Sequence, residues 1–439
     1  MARTFKGGLH IDDHKSCTNK IPIKIIDGGK VHVFPLQQHI GAPLIATVKP
    51  GDRVLVGDVI ADNKEAFVCA PIHSSVSGTV KTIEQRYHPS GAKVTSVVIE
   101  NDGLYEVSPN ISPKDPEKMS AEEIVSVIRN SGIVGMGGAG FPTHVKLSPP
   151  KDKKITHIIV NGAECEPYLT SDHRRMLECS EEIIDGLRIV MKIFGLNDGY
   201  VGIEKNKPDA IKTIREEAKK DKGIHIIPLK TKYPQGAEKQ LIYAVSGKKV
   251  PSGGLPADVG AIVINIDTVT QISKAFRTGM PLIDRIVTMS GSCIKNPCNL
   301  QVRCGMLFED VINAVGGFSK NPKKIIMGGP MMGIAQFTLD VPIIKTSSAI
   351  LALSAVEIGY DEDCICIKCG KCVDHCPMKL MPLYINKYIK KGDLEMAQKY
   401  NVMDCIECGV CSYLCPGLQS PLNNIRIAKQ QINEMRRGK

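Results

Sequence analysis

Cys366-Ile-Lys-Cys369-Gly-Lys-Cys372-Val-Asp-His-Cys376-Pro377 is followed by Cys405-Ile-Glu-Cys408-Gly-Val-Cys411-Ser-Tyr-Leu-Cys415-Pro416. Each run has the C-x2-C-x2-C-x3-C-P spacing of a cubane-binding loop. Three thiolates two residues apart wrap a tight loop around three irons. The fourth thiolate ligates the other cluster, and the proline stops the chain from continuing as helix. The spacing therefore assigns Cys366, Cys369, Cys372 and Cys415 to one [4Fe-4S] cluster, and Cys405, Cys408, Cys411 and Cys376 to a second. Gly370 and Gly409 are expected to let the loops approach inorganic sulfide without a clashing Cβ. Zinc knuckles would use four ligands in two C-x2-C pairs; two complete runs, each with its proline, argue against them. Between the runs, residues 383–390 and 393–400 read as helices broken at Gly392. Cys364, two residues before the first ligand, reads as a bystander.

Working outward, the chain has 439 residues, enough for about three units at about 150 residues each. Disulfide scaffolds of comparable cysteine richness are short and secreted. Here 16 cysteines lie in a long chain whose residues 1–10 lack the apolar core of a signal peptide. No run approaches the roughly 18 apolar residues of a membrane helix; the best, 350–358, is too short and contains Glu357. Reduced thiols in the cytosol, and hence metal binding, are the expectation. The net charge of +10 suits an acidic partner or an anionic membrane surface, or simply a solvated basic surface. Lys and Arg are dispersed, aromatics are 5% and Trp is absent, which argues against nucleic acid as a partner.

Before the proline-rich stretch Ser108-Pro-Asn-Ile-Ser-Pro-Lys-Asp-Pro116, short strands are predicted at 31–34, 46–49, 53–56 and 94–100. Beyond it, Ile124, Val127 and Ile128 recur at helical spacing behind a capping Ser120. Strands at 156–160, 199–203, 224–229 and 261–266 then alternate with helices at 181–194 and 208–219, which argues for an α/β domain. Residues 286–317 read as two strands and a helix closed by glycines. Gly135-Met-Gly137-Gly138-Ala-Gly140 satisfies G-x-G-x-x-G, but a helix precedes it and Phe141-Pro-Thr follows. The dinucleotide-fold context of strand before and helix after fails. A different phosphate- or flavin-cradling loop, or a structural turn, is expected.

Several of these stretches resemble known families. Val48-Lys-Pro-Gly51-Asp-Arg-Val-Leu-Val-Gly57 and Ala70-Pro-Ile-His-Ser-Ser-Val-Ser-Gly78 resemble the two halves of a lipoyl-type barrel sandwich. Lys64 lies between them, yet its flanks do not match a cofactor-carrying lysine, so a docking or structural barrel is the better reading. Residues 135–146 (GMGGAGFPTHVK) resemble the flavin- and nicotinamide-binding loop of the NADH-oxidising subunit of respiratory complex I. Asn161-Gly-Ala-Glu164-Cys-Glu166-Pro167 resembles that family's acidic segment, and Tyr233-Pro-Gln-Gly236-Ala-Glu238 and Ile264-Asn265 its later flavin contacts. The 286–317 unit is similar to its β-grasp (SLBB) module, and the cysteine region to helical two-cluster ferredoxin domains. With Phe5-Lys-Gly-Gly8-Leu-His10, the order of parts resembles the RnfC family of Rnf-type ion-translocating electron transport complexes along nearly the whole chain.

The resemblance implies a multidomain α/β protein. Its parts would be an N-terminal domain with a lipoyl-like β-barrel sandwich (1–110), a complex I-like FMN/NAD(H)-binding α/β domain (119–280), an SLBB β-grasp module (281–340) and a helical two-cluster ferredoxin domain (355–439). It implies non-covalent FMN held by Gly135, Gly137, Gly138, Gly140, Asn161, Glu164, Gly236, Glu238 and Asn265, with NAD(H) contacted by Phe141, Lys146 and Glu166. The complex I family has an aromatic three residues after the loop lysine, where this chain has Pro149. The implied activity is hydride exchange between NAD(H) and FMN with single electrons relayed through the clusters, as the translocase-class ferredoxin:NAD+ oxidoreductase. No catalytic acid or base is assigned, because the cofactors carry the chemistry. Implied partners are the other members of an Rnf-type membrane complex, ferredoxin-like carriers and NAD(H), at the cytoplasmic side of the membrane. The alternatives are a soluble flavin/iron–sulfur donor to another reductase and an electron-relay docking protein without a working flavin site. Cys293, Cys298 and Cys304 fit no ligand spacing and are read as buried small hydrophobes.

Overall fold

Ser120 ends the extended linker and starts the first long helix, Ala121–Asn130. Its hydroxyl accepts from the Glu123 N–H while Glu123 accepts from the Ser120 N–H, a reciprocal capping box. In the computed structural model, which describes residues 3–358 and 365–437, this helix buries Ile124, Val127 and Ile128. They pack into the largest core, with the helices Ser180–Ile193, Pro208–Ala218 and Ile266–Arg277.

That core lies against one face of a four-stranded sheet, in the order Ile224–Leu229, Gly199–Glu204, His157–Gly162, Ala261–Asn265. All three pairings are parallel. Helix Glu238–Ser246 covers the opposite face with Leu241, Ile242 and Val245. Burial on both faces explains the near-continuous Ile/Val runs of the central strands. From His157–Gly162 the chain builds outward on one side, then returns to add Ala261–Asn265 on the other. A crevice for ligands opens where such an order reverses, at the carboxyl ends of the strands.

The N-terminal region folds as a barrel sandwich. One sheet is antiparallel, in the order Val31–Pro35, Lys93–Asn101, Gly78–Tyr87, Arg53–Val54; the other comprises Ile45–Ala46, Val59–Asp62 and Ile72–His73. Phe34, Ile60, Ile72, Val97 and Ile99 fill the space between. The strands expected at 46–49 and 53–56 are shorter, because the chain turns between them at Pro50-Gly51, with Gly51 at φ +93°. Lys64 is exposed in the turn after Val59–Asp62.

The β-grasp unit draws strands from outside its expected span. Its six-stranded sheet runs Lys24–Ile26, Cys298–Arg303, Asp284–Ser290, Ala349–Leu353, Lys324–Met327, Ile334–Gln336. Lys24–Ile26 arrives from the N-terminus, and the apolar run near 350 is a central strand followed by the short helix Ala355–Ile358. Cys293 and Cys298 sit in this core and Cys304 in the barrel core, all three buried. Helices Pro382–Lys390, Leu394–Lys399 and Pro421–Arg437 form the last unit around Ile385, Ala397, Val402, Ile425 and Ile432. Among the described residues, no helix is long and apolar enough to cross a membrane. Cys364 lies outside the described residues.

Gly186 lies inside the helix Ser180–Ile193, where propensity alone would favour alanine by about 1 kcal/mol. A Cβ there would sit 2.0 Å from the backbone oxygen of Val269 in the crossing helix. Sterics reverse the sign: Gly186→Ala is expected to destabilise by about 1–3 kcal/mol, read as a lower urea midpoint. An unchanged or higher midpoint would contradict this helix contact.

Candidate nucleotide and iron–sulfur sites

The reversal of strand order places two asparagines side by side. Asn161 lies near the end of one strand, Asn265 ends its neighbour, and the two are register partners. Asn161 donates from Nδ2 to the Gly236 carbonyl at 2.8 Å and accepts at Oδ1 from the Ala163 N–H at 3.2 Å. Asn265 caps the helix Ile266–Arg277 by accepting from the Asp267 N–H at 2.8 Å, and donates one amide hydrogen to Asp172 at 2.8 Å. Among the described residues, no second acceptor for that amide group is seen.

The glycine loop closes over this edge. The Gly135 N–H donates to the Phe141 carbonyl at 2.8 Å, and the Met136 N–H to the Thr268 hydroxyl at 3.0 Å. Residues 137–139 face solvent. Two of the glycines have distinct physical reasons. A Cβ at Gly137 would come within 2.6 Å of Asn265 Nδ2, and Gly140 adopts φ +73°, a region costly for other residues. The helix expected to disqualify a dinucleotide-fold loop does precede it, and only the four-residue helix Thr143–Lys146 follows. Lys146 donates to Glu238 at 2.8 Å and to the Val263 carbonyl at 3.0 Å. The structure thus gathers the loop, Asn161, Gly236, Glu238, Asn265 and Lys146 at one edge of the sheet.

The acidic segment runs alongside. Glu164 stands at φ +47°, and its carboxylate accepts from the Asp172 N–H at 2.7 Å. Its other oxygen is buried without a hydrogen-bond partner among the described residues, 3.6 Å from Lys15 Nζ. Lys15 also donates to the Glu164 carbonyl at 2.8 Å, and Lys207 to the Ala163 carbonyl at 2.6 Å. These two lysines, with Asp172, escaped the sequence reading; Lys15 is far away in sequence and carries no local signal. Burial and then the charge of Glu164 push the Asp172 carboxyl up to about 7. Burial pushes the Cys165 thiol up to about 12, so it stays protonated while accepting from the Gly236 N–H at 3.4 Å. The space kept open at Gly137, the Asn265 amide beside it and the Glu164 oxygen that accepts no hydrogen bond among the described residues fit a polar-edged cofactor with a phosphate.

Glu166 stands apart from that group. Its carboxylate accepts from the Met331 N–H at 3.1 Å and lies 3.5 Å from the Tyr233 hydroxyl. That hydroxyl has one hydrogen and gives it to the nearer acceptor, the Cys408 carbonyl at 2.7 Å. Burial pushes the Glu166 carboxyl up to about 7, against the opposing pull of the Met331 N–H.

Tyr233 thus leads from the nucleotide edge to the cysteine loops. Cys376, Cys405, Cys408 and Cys411 line one cavity, whose other walls are mostly apolar, among them Met378, Leu380, Ile385, Val410, Leu422 and Ile425. Four cysteines lining one apolar cavity are the donor set that a cubane takes. Burial, then the neighbouring Cys405 and Cys376, push the Cys408 thiol up to about 12. Burial and then the charges of Cys415 and Cys366 likewise raise the Cys372 thiol; Cys366 and Cys369 are exposed. The two loops repeat one backbone pattern: Lys368 and Glu407 share φ +56°, and Gly370 and Gly409 stand at +79° and +77°. The left-handed backbone by itself requires those two glycines, before any approach to sulfide is considered.

An N-terminal strap fills the seam between the two sites. The Gly8 N–H donates to the His375 carbonyl at 2.8 Å, and Leu9 and Tyr233 exchange backbone hydrogen bonds of 2.9 and 2.8 Å. A Cβ at Gly7 would meet the Cys376 carbonyl at 2.8 Å, and one at Gly8 the Tyr233 carbonyl at 2.4 Å. Gln240, on the helix that follows Gly236, donates to the Pro377 carbonyl at 3.2 Å.

Four family models match the chain. The Nuo51 FMN-binding domain matches residues 128–274, the RnfC barrel sandwich hybrid domain 3–104, the SLBB domain 286–335 and a 4Fe-4S dicluster domain 358–416. The RnfC-type component of the Na(+)-translocating ferredoxin:NAD(+) oxidoreductase complex of Acetobacterium woodii is 46% identical over 435 residues, 99% of this chain and 98% of that protein. Its counterpart in the proton-translocating ferredoxin:NAD(+) oxidoreductase complex of Clostridium ljungdahlii is 47% identical over 407 residues, 92% of this chain and 88% of that protein. The corresponding component of the ion-translocating oxidoreductase complex of Rhodobacter capsulatus is 40% identical over 405 residues, 91% and 78% of the two chains. Among solved structures, a chain of an NAD+-reducing [NiFe]-hydrogenase aligns with a TM-score of 0.50 at 16% identity, over 74% of this chain and 66% of that one; at that identity the likeness concerns the fold. Identity of 46% sustained over 99% of the chain, with all four domain matches in order, makes this chain a member of the RnfC family of ion-translocating oxidoreductase complexes.

Proposed function

We propose that this chain is the NAD(H)-reactive peripheral component of a membrane-bound, ion-translocating ferredoxin:NAD+ oxidoreductase, working on the cytoplasmic side of the membrane. The observation that carries the reading is the position of Tyr233. Its backbone belongs to the segment that leads to Gly236, and its hydroxyl donates to the carbonyl of Cys408. A nucleotide edge and a thiol-lined cavity are thereby joined through one side chain. When bound, FMN would supply two-electron exchange with NADH, and the two [4Fe-4S] clusters would supply one-electron transfer.

The residues supply position and electrostatics. Gly135, Gly137, Gly138 and Gly140 let the backbone close on the phosphate-bearing cofactor, and Asn161 and Asn265 aim amide groups at it. Glu164, Gly236 and Glu238 complete that wall, while Phe141 and Lys146 receive the dinucleotide. Glu166, on the Tyr233 side, faces the step from nucleotide to cluster. Cys405, Cys408, Cys411 and Cys376 hold the cluster nearer the nucleotide domain. Cys366, Cys369, Cys372 and Cys415 hold the outer one, whose exposed ligands suit exchange with another member of the complex or a ferredoxin-like carrier. Ion transport requires membrane-spanning partners, since no described helix of this chain can span.

Anaerobically purified protein is expected to hold about eight irons and one FMN per chain, and NADH is expected to bleach both flavin and cluster absorbance. Iron without flavin would defeat the NAD(H) site and leave an electron relay. Ligand assignment and cluster order are tested together by electron paramagnetic resonance. Cys415→Ser is expected to remove the outer cluster while the inner one stays reducible by NADH. Cys376→Ser is expected to leave flavin bleaching intact and to stop NADH reduction of the remaining outer cluster. The reverse pattern would invert the proposed order.

A further inference from the structure

The turn that follows the barrel strand Val59–Asp62 leaves Phe67 65% exposed, and it does so beside the glycine loop. The Val68 carbonyl accepts from the Ala42 N–H at 3.0 Å, and a Cβ on Gly41 would come within 2.0 Å of that oxygen. The stretch containing Ile40 is therefore pressed against the turn that carries Phe67. Ile40 is itself 51% exposed, and its N–H donates to the Gly140 carbonyl at 3.3 Å. The Phe67 carbonyl lies 3.1 Å from His144 Nε2, and the two rings meet edge to face with centroids 6.1 Å apart. His144 sits between Phe141 and Lys146. An aromatic ring from the barrel thus stands at the end of the loop assigned above to the dinucleotide.

Leaving a phenylalanine ring in water forgoes about 1.5–3 kcal/mol of burial. Here the backbone around it is held from both sides, so the ring is presented rather than left loose. An open aromatic ring on a held backbone is a surface for a flat π-system. NAD(H), assigned above to this loop, brings one such group, adenine. We propose that Phe67 supplies the stacking surface for the adenine of NAD(H) and works with Phe141. The barrel is then part of the dinucleotide site and not only a docking element. This proposal rests on the reading that NAD(H) binds at the glycine loop.

The test uses the full-length, flavin- and cluster-loaded protein and compares NADH with reduced nicotinamide mononucleotide, which lacks adenine. Phe67→Ala is expected to raise the Kd and KM for NADH about tenfold, in line with the loss of one base–aromatic stack. The reaction with the mononucleotide and the FMN and iron contents are expected to stay unchanged. Phe67→Tyr should recover NADH affinity, whereas Phe67→Leu should not. Equal loss toward both reductants, no loss toward NADH, or full recovery with leucine would overturn the proposal. Its failure is separable from failure of the underlying reading: in that case NADH would bleach no flavin even in the unsubstituted protein.

Discussion

The carboxylate of Asp267, buried between the guanidinium groups of Arg175 and Arg285, is the contact on which the assembly of modules depends. Arg175 belongs to the helix Ser171–Glu178 and reaches Asp267 at 2.9 and 2.8 Å; Arg285, on a strand of the six-stranded sheet, closes the other side. Burial alone would raise the Asp267 carboxyl, yet the two cations hold it below the usual carboxylate range. Breaking such a buried pair by removing one partner typically costs about 3–5 kcal/mol, because the surviving charge is stranded. Arg285 also donates to the Ser347 carbonyl at 3.1 Å and to the Met136 carbonyl at 3.4 Å. One side chain therefore ties the nucleotide domain, the six-stranded sheet and the glycine loop.

The same economy appears at the seam with the cysteine loops. A strap of glycines passes where any side chain would collide with the Cys376 and Tyr233 carbonyls. Two backbones come close enough there for direct hydrogen bonds, and the nucleotide edge is drawn toward one particular thiol-lined cavity. In the other run, Cys366 and Cys369 are left toward solvent. A two-cluster unit with nearly identical loops is thus made asymmetric by what packs against it.

Much of this was legible in advance where the signal is local. Spacing places the thiols, the capping box starts the first helix, and alternation of apolar strands and helices foretells the parallel sheet. The glycine loop was legible as a motif, and its departure from the strand-before, helix-after context was correctly read. What stayed hidden depends on contacts distant in sequence. Lys15 meets Glu164, Lys24–Ile26 joins Cys298–Arg303, and Ala349–Leu353 enters the middle of a sheet whose other strands lie before it in the chain. Glu166 adds a further case: its carboxylate accepts from the Met331 N–H and lies beside the Tyr233 hydroxyl, and neither contact carries a local signal.

The amino-acid sequence by itself determined the chemistry available: eight thiolates at cubane spacing, a glycine loop with a lysine beyond it, and acidic and amide groups in a recognisable order. Those properties reside in covalent spacing, which folding cannot change. Tertiary structure alone decided which cysteine set lies beside Tyr233, that Asn265 meets both Asp172 and Asp267, and that a barrel phenylalanine stands beside the loop. Each of these is a matter of geometry between residues far apart in the chain. Burial, packing and hydrogen-bond partners settle such geometry only once the whole molecule has folded.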